Sequence, residues 1–157
     1  MKIVKKILLI LLIAFVLIQF YPPEQNDSGI VPDTDLIVMT NPPAAVGNLL
    51  KTSCYDCHSN TTDYPWYNNI VPVSYWIAGH IKHGKGHLNF SEWGTYKDEK
   101  KDHKLEELTE EVKQHKMPLN SYLWMHREAG LSDEEIKTLT DWANALRLKY
   151  QSTSKLQ

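Results

Sequence analysis

Cys54-Tyr55-Asp56-Cys57-His58 stands directly behind Val46, Leu49 and Leu50, an apolar stripe at i, i+3 and i+4. The stripe predicts a helix that delivers two thiols and an imidazole into a single turn. C-x-x-C-H is the spacing by which c-type haem is attached. On such a turn the two sulfurs reach the vinyl groups along one porphyrin edge, and the adjacent imidazole turns under the iron. Two other chemistries share parts of the pattern. A dithiol couple wants its cysteines at a helix N-terminus, where the dipole favours thiolate, but this pair comes after a helical stripe. A zinc site wants four ligands, and the chain holds no second compact Cys/His cluster after this one. The expectation is one haem c per chain, attached through Cys54 and Cys57, with His58 as proximal iron ligand.

Outward from this turn the chain reads as helices joined by long ordered loops. Asn41-Pro42 marks a helix start. After a loop holding Tyr64-Pro65-Trp66-Tyr67, Val73, Trp76, Ile77, His80 and Ile81 share one helical face, with Gly84 and Gly86 expected to end that helix. Ser91 is placed to cap a short helical piece through Lys97. Leu105, Leu108 and Val112 mark a third helix that stops before Met117-Pro118. Ser132 with Glu135 forms a capping box, succeeded by Ile136, Leu139, Ala143 and Leu146 as a buried stripe. No alternating pattern predicts a strand, so the fold class is all-α.

The N-terminus opens with Lys2, Lys5 and Lys6, and residues 7–20 are almost wholly apolar. This order keeps the N-terminus in the cytoplasm and sends the downstream chain across the membrane. The run is short for a span of about 20 residues, and snorkelling lysines extend it toward that length. The run leads into no small-x-small cleavage site, which favours an anchor over residues 3–21 rather than a cleaved signal peptide. Residues 22–40, with Pro, Asp, Asn, Ser and Gly, read as a linker holding the domain off the membrane. The expected organisation is a signal anchor or signal peptide at 1–21, a linker at 22–40, a haem-binding domain at 41–150 and a flexible tail at 151–157. The chain has 157 residues and a formal net charge of −2, giving no basic patch for nucleic acid.

A second iron ligand has several candidates. Met117 lies just after a helix in Lys116-Met117-Pro118, where a loop can present a thioether, which raises the reduction potential relative to a second histidine. His80, on the apolar face of its helix, is the alternative distal ligand, with His126 and Met125 as further rivals. His83, His87, His103 and His115 lie among Lys, Gly and Glu and are expected in solvent.

Several of these stretches together carry a specific resemblance. Cys54-Tyr55-Asp56-Cys57-His58-Ser59-Asn60, Tyr64-Pro65-Trp66-Tyr67, Pro72-Val73-Ser74 and Leu88-Asn89-Phe90-Ser91-Glu92-Trp93 look like the bacterial haem-binding-domain family. Met117-Pro118-Leu119 and Leu131-Ser132-Asp133-Glu134-Glu135 also fit its pattern, and the match covers about residues 43–146. The family comprises short exported single-haem proteins. The resemblance implies a cytochrome-c-like helical domain around one haem, attachment at Cys54 and Cys57, and Met117 as distal ligand. Relative to small cytochromes c, the long insertion between His58 and Met117 places His80, Trp66, Trp76 and Trp93 where they are expected to line the haem.

The function expected is that of a membrane-tethered monohaem cytochrome on the periplasmic side of the inner membrane, passing single electrons among redox partner proteins of the cell envelope. The alternative is a haem-based sensor or diatomic-ligand-binding module. A haem enzyme is disfavoured, because Arg127 and Arg147 are the domain's only arginines and neither forms an evident acid–base pair with a distal histidine.

Overall fold

The computed structural model describes residues 2–154. The fold is all-α: among the described residues there are eight α-helices and no strand, only one isolated bridge between Asp27 and Thr61. The helices are α1 (Lys2–Ile18), α2 (Leu36–Thr40), α3 (Ala44–Ser53), α4 (Tyr55–His58), α5 (Val73–His87), α6 (Asp98–Lys113), α7 (Asn120–Leu123) and α8 (Asp133–Ser154).

The core is built on the antiparallel pair α6 and α8. Leu105, Leu108 and Val112 of α6 meet Ile136, Leu139 and Ala143 of α8, and α3 adds Val46 and Leu50. Leu36 of α2, Leu88, and Phe90 and Trp93 of a 3₁₀ turn close the cluster. The α6 and α8 stripes read from the sequence are therefore buried, with Leu146 only partly so. Along the open edge of the pair, Arg147 Nε and Nη2 donate to Asp102 Oδ1 (2.8 Å) and Glu106 Oε1 (2.7 Å), and Gln151 donates to Asp102. The capping box at the start of α8 is formed as expected: Ser132 N–H donates to Glu135 Oε2 and Glu135 N–H to Ser132 Oγ.

Several boundaries differ from the sequence reading, each for a local reason. Asn41 ends α2 rather than starting α3, since its backbone is left-handed (φ 43°) and its N–H closes onto Ile37. Asn89, not Ser91, caps the 3₁₀ turn Phe90–Thr95, its side chain accepting from Ser91 N–H. Gly84 and Gly86 do not end α5, which continues to His87. α8 runs through Gln151 to Ser154, because Gln151 and Ser154 still reach Asp102 and Glu99 on α6; the rest of the expected tail lies outside the described residues. Trp93, expected near the haem, is fully buried in the core with its indole N–H donating to Tyr150 Oη at 3.1 Å.

Residues 22–40 are not a free spacer. Asn26 takes a hydrogen bond from Lys85, donates its backbone N–H to Tyr64 Oη and its amide to Ser59 O and Thr62 Oγ1. Thr34 bonds Ser91 O, and Gly94 N–H donates to Thr34 O. Asp35 caps α2 and is buried with Leu36. The polar residues that resemble a linker find their partners across the fold. α1, by contrast, is exposed along its whole length, and no described helix is long and apolar enough to cross a membrane.

Trp93→Ala removes the largest core side chain and is expected to cost about 3–5 kcal/mol in urea unfolding, against about 1 kcal/mol for Tyr150→Phe. At Asp102, burial alone would raise the carboxyl, but Arg147 and Gln151 outweigh it and hold it below the ordinary value. A carboxylate held low contributes stability above its unfolded pKa of about 3.9 and loses it as pH falls through the lower folded value. Arg147→Met is therefore expected to lower stability at pH 7, with the gap to wild type closing below about pH 4 in parallel unfolding curves.

Candidate functional site

α3 ends at Cys54, whose own backbone (φ −130°, ψ −39°) leaves the helical region while its N–H still closes onto Leu50 O at 2.9 Å. The chain turns there and re-enters helix as the single turn α4, so the break in the helix falls on the first cysteine. Cys57 N–H and His58 N–H both return to Cys54 O, closing the turn.

Contacts from elsewhere hold four residues of this turn, His58, Tyr55, Asp56 and Cys57. His58 Nδ1 lies 2.9 Å from Leu88 O. A carbonyl only accepts, so the proton sits on Nδ1 and Nε2 keeps its lone pair, the tautomer a metal-binding histidine needs. Burial lowers the pKa of His58, with the Leu88 and Gly84 carbonyls opposing, so the ring is neutral. Tyr55 stacks on Phe90 (centroids 5.1 Å apart, 17° between planes) and donates its hydroxyl to Asp35 Oδ1 at 2.7 Å. Asp56 accepts from Tyr122 Oη at 2.6 Å and from Asp63 N–H. Gly84 of α5 lies against the Cys57 backbone, where an added Cβ would stand 2.7 Å from the Cys57 carbonyl oxygen. That approach explains why glycine occupies the middle of a helix there.

Both cysteines are free and half-buried. Burial, with Cys57 adding to it, pushes the Cys54 thiol up to about 12; burial and then Asp56 push Cys57 up to about 11. Thiols held protonated are poor redox nucleophiles, which counts against a dithiol couple. Among the described residues no group of three or more His, Cys, Asp or Glu side chains is arranged to hold a metal ion.

Beside the turn lies an apolar cleft of about 430 Å³. Cys57 and Asp56 form its floor, Trp76, Ile77 and His80 of α5 one wall, Trp66 and Tyr67 a second, and Leu119, Tyr122, Trp124 and Met125 a third. The apolar face of α5 read from the sequence is thus mostly a cleft wall, with Ile81 alone of that set fully buried. Its polar edge is ordered: His126 Nε2 bonds Tyr67 Oη at 2.7 Å, its Nδ1 lies 3.3 Å from Glu128, and its ring stacks on Tyr122 at 4.2 Å.

The expected site residues are only partly brought together. Cys57, His80, Met125 and His126 line the cleft. His58 is the next residue of the turn, its ring held to Leu88, and Cys54 packs at the edge of the core. Met117 also packs, half-buried, against the core and is not among the cleft-lining residues, whereas Leu119, two residues on, is. His80 Nδ1 lies 2.9 Å from Trp76 O, again leaving Nε2 unpaired, while both nitrogens of His126 are engaged. Trp66 and Trp76 line the cleft as expected; His83, His87, His103 and His115 are exposed. The supporting roles of Asp35, Gly84, Leu88 and Tyr122 at the turn escaped the sequence reading. Asp35 before Leu36-Ile37-Val38 carries a capping signal that identifies its helix role, though not its bond to Tyr55.

Unpaired thiols, an imidazole with Nε2 free and a largely apolar cleft with aromatic walls together fit a flat iron-bearing macrocycle. A family model described as a haem-binding domain matches residues 13–145. The chain belongs to the haem-binding-domain family. No curated protein and no solved structure gives a significant match. The haem-binding domain so defined includes part of α1 and the whole of the 22–40 segment, in line with the hydrogen bonds that fasten that segment down.

Gly84→Ala is expected to force α5 off the attachment turn. The readout is haem incorporation and unfolding midpoint, both expected to fall, while Gly86→Ala, whose Cβ meets nothing within 4 Å, leaves them near wild type.

Proposed function

We propose that this haem-binding domain is a monohaem c-type cytochrome: Cys54 and Cys57 form the thioether links, His58 Nε2 ligates the iron, and the protein passes single electrons between cell-envelope partners. The observation carrying this reading is the His58–Leu88 hydrogen bond inside a C-x-x-C-H turn, which puts the ring proton on Nδ1 and leaves the Nε2 lone pair available, one residue on from Cys57 in the lining of an apolar cleft. The haem supplies a one-electron couple at iron. The chain's residues orient the ligand, exclude water with Trp76, Ile77 and Leu119, and leave an edge open near Trp66 and Trp124, both well exposed. An open edge suits the small, transient interfaces of electron-transfer encounters. Peroxidase-like chemistry has little support, since Arg147 is engaged by Asp102 and Glu106 and Arg127 is not among the cleft residues.

The distal ligand we propose is Met117, on the loop that leads into the cleft wall at Leu119. A second reading, a diatomic-ligand module, draws on one observation: His80 and Met125 line the cleft and Met117 does not. α1 is proposed as an export signal that remains as a tether on the periplasmic side. Its 17 residues extend about 25 Å, short of a hydrocarbon core of about 30 Å, and Phe20 and Tyr21 continue the apolar run past its end.

The test is co-expression with a c-type maturation system. Haem resistant to acid–acetone extraction in wild type, and absent in Cys54→Ala/Cys57→Ala, is the expected result; extractable haem in wild type overturns the covalent reading. Met117→Ala is expected to abolish a methionine-to-iron charge-transfer band that His80→Ala retains. If the reduced wild-type protein binds carbon monoxide at once, the ligand-binding reading replaces the electron carrier.

A further inference from the structure

The segment after α1 is fastened to the domain at a defined place. Gln19 Nε2 donates to Val71 O and Val71 N–H donates back to Gln19 Oε1, both at 2.9 Å. Two residues on, Tyr21 O accepts from Tyr75 Oη at 2.9 Å. Val71 is buried, so this clip is set into the body of the domain at the start of α5, the helix whose next turns wall the cleft through Val73, Trp76 and Ile77.

Around the clip lies a group of apolar side chains that the cleft does not use. Phe20 and Tyr21 are 74% and 72% exposed, Tyr75 49% and Ile70 37%, and none of the four lines the cleft. Tyr21 and Tyr75, beside the end of an apolar helix, are of the side-chain type enriched where a membrane meets water, and Phe20 and Ile70 add apolar surface next to them. The group is continuous with α1, every residue of which is exposed along 17 positions.

We propose that the face formed by Phe20, Tyr21, Ile70 and Tyr75 docks onto the lipid headgroup layer, so that the haem cleft sits at the membrane surface in a fixed orientation instead of swinging on a linker. The inference rests on α1 being the membrane tether. The lipid layer is the occupant because the face begins where the tether ends and the two-way Gln19–Val71 hydrogen bond allows no spacer between them. A cleft held there exchanges electrons with a lipid-soluble carrier or a membrane-embedded partner more readily than with a protein free in solution.

The full-length holoprotein, reconstituted in phosphatidylcholine vesicles doped with a phospholipid bearing a diazirine near its headgroup, gives the test. After flotation and irradiation, lipid adducts are mapped by mass spectrometry. Adducts on peptides carrying Phe20–Tyr21 and Ile70–Tyr75, besides α1, are expected. In Gln19→Ala the Ile70–Tyr75 adducts are expected to fall several-fold while α1 adducts and the haem spectrum stay unchanged; Tyr75→Phe, which removes one hydrogen bond and keeps the ring, should lose less. Adducts confined to α1 overturn the docked face and leave the tether standing, as does protection of the face by a second copy in a vesicle-free dimer. Failure to float overturns the tether and the docking together.

Discussion

The constraint on which the site depends is the contact of Gly84 with the Cys57 carbonyl, where a single methyl group would not fit. It sets how near α5 comes to the attachment turn, and so where Trp76, Ile77 and His80 stand over Cys57. The same approach brings Leu88, four residues further along, to the position where its carbonyl holds the His58 ring. A glycine thus aligns two things at once: the wall of the cleft and the tautomer of the histidine beside it.

The two residues between the cysteines extend this control in opposite directions. Tyr55 reaches back to Asp35 on the N-terminal strap, and Asp56 reaches forward to Tyr122 on α7. Neither side chain belongs to the attachment chemistry itself, yet each ties the turn to a different layer. Tyr122 in turn stacks against His126, so the turn and the polar edge of the cleft share one ordered set of side chains.

What the sequence discloses is what local chemistry determines. The C-x-x-C-H turn, the capping box Ser132–Glu135 and the α6 and α8 stripes depend on neighbours three or four residues away, and all are present in the structure. The strap at 22–40 was legible only as composition, because Asn26, Thr34 and Asp35 advertise polarity but not the distant Ser59, Ser91 and Tyr55 that satisfy it. Gly84 reads as a helix stop unless the backbone it abuts is known. Trp93 shows the same ambiguity among aromatics: spacing does not separate a core filler from a cofactor wall, and its pairing with Tyr150 on α8 decides the matter. The 114–126 segment puts Leu119, Tyr122, Trp124 and Met125 in the cleft lining and Met117 against the core, a division that no local pattern encodes.

Three hydrogen-bond supports of the C-x-x-C-H turn lie 20, 30 and 66 residues from it, at Asp35, Leu88 and Tyr122. Its order is therefore borrowed from long-range contacts, whose loop-closure entropy is met only when the whole chain folds. A peptide holding Cys54 through His58 alone carries the reactive groups but not their orientation. Chemical identity at this site is local, and geometry is a property of the entire domain.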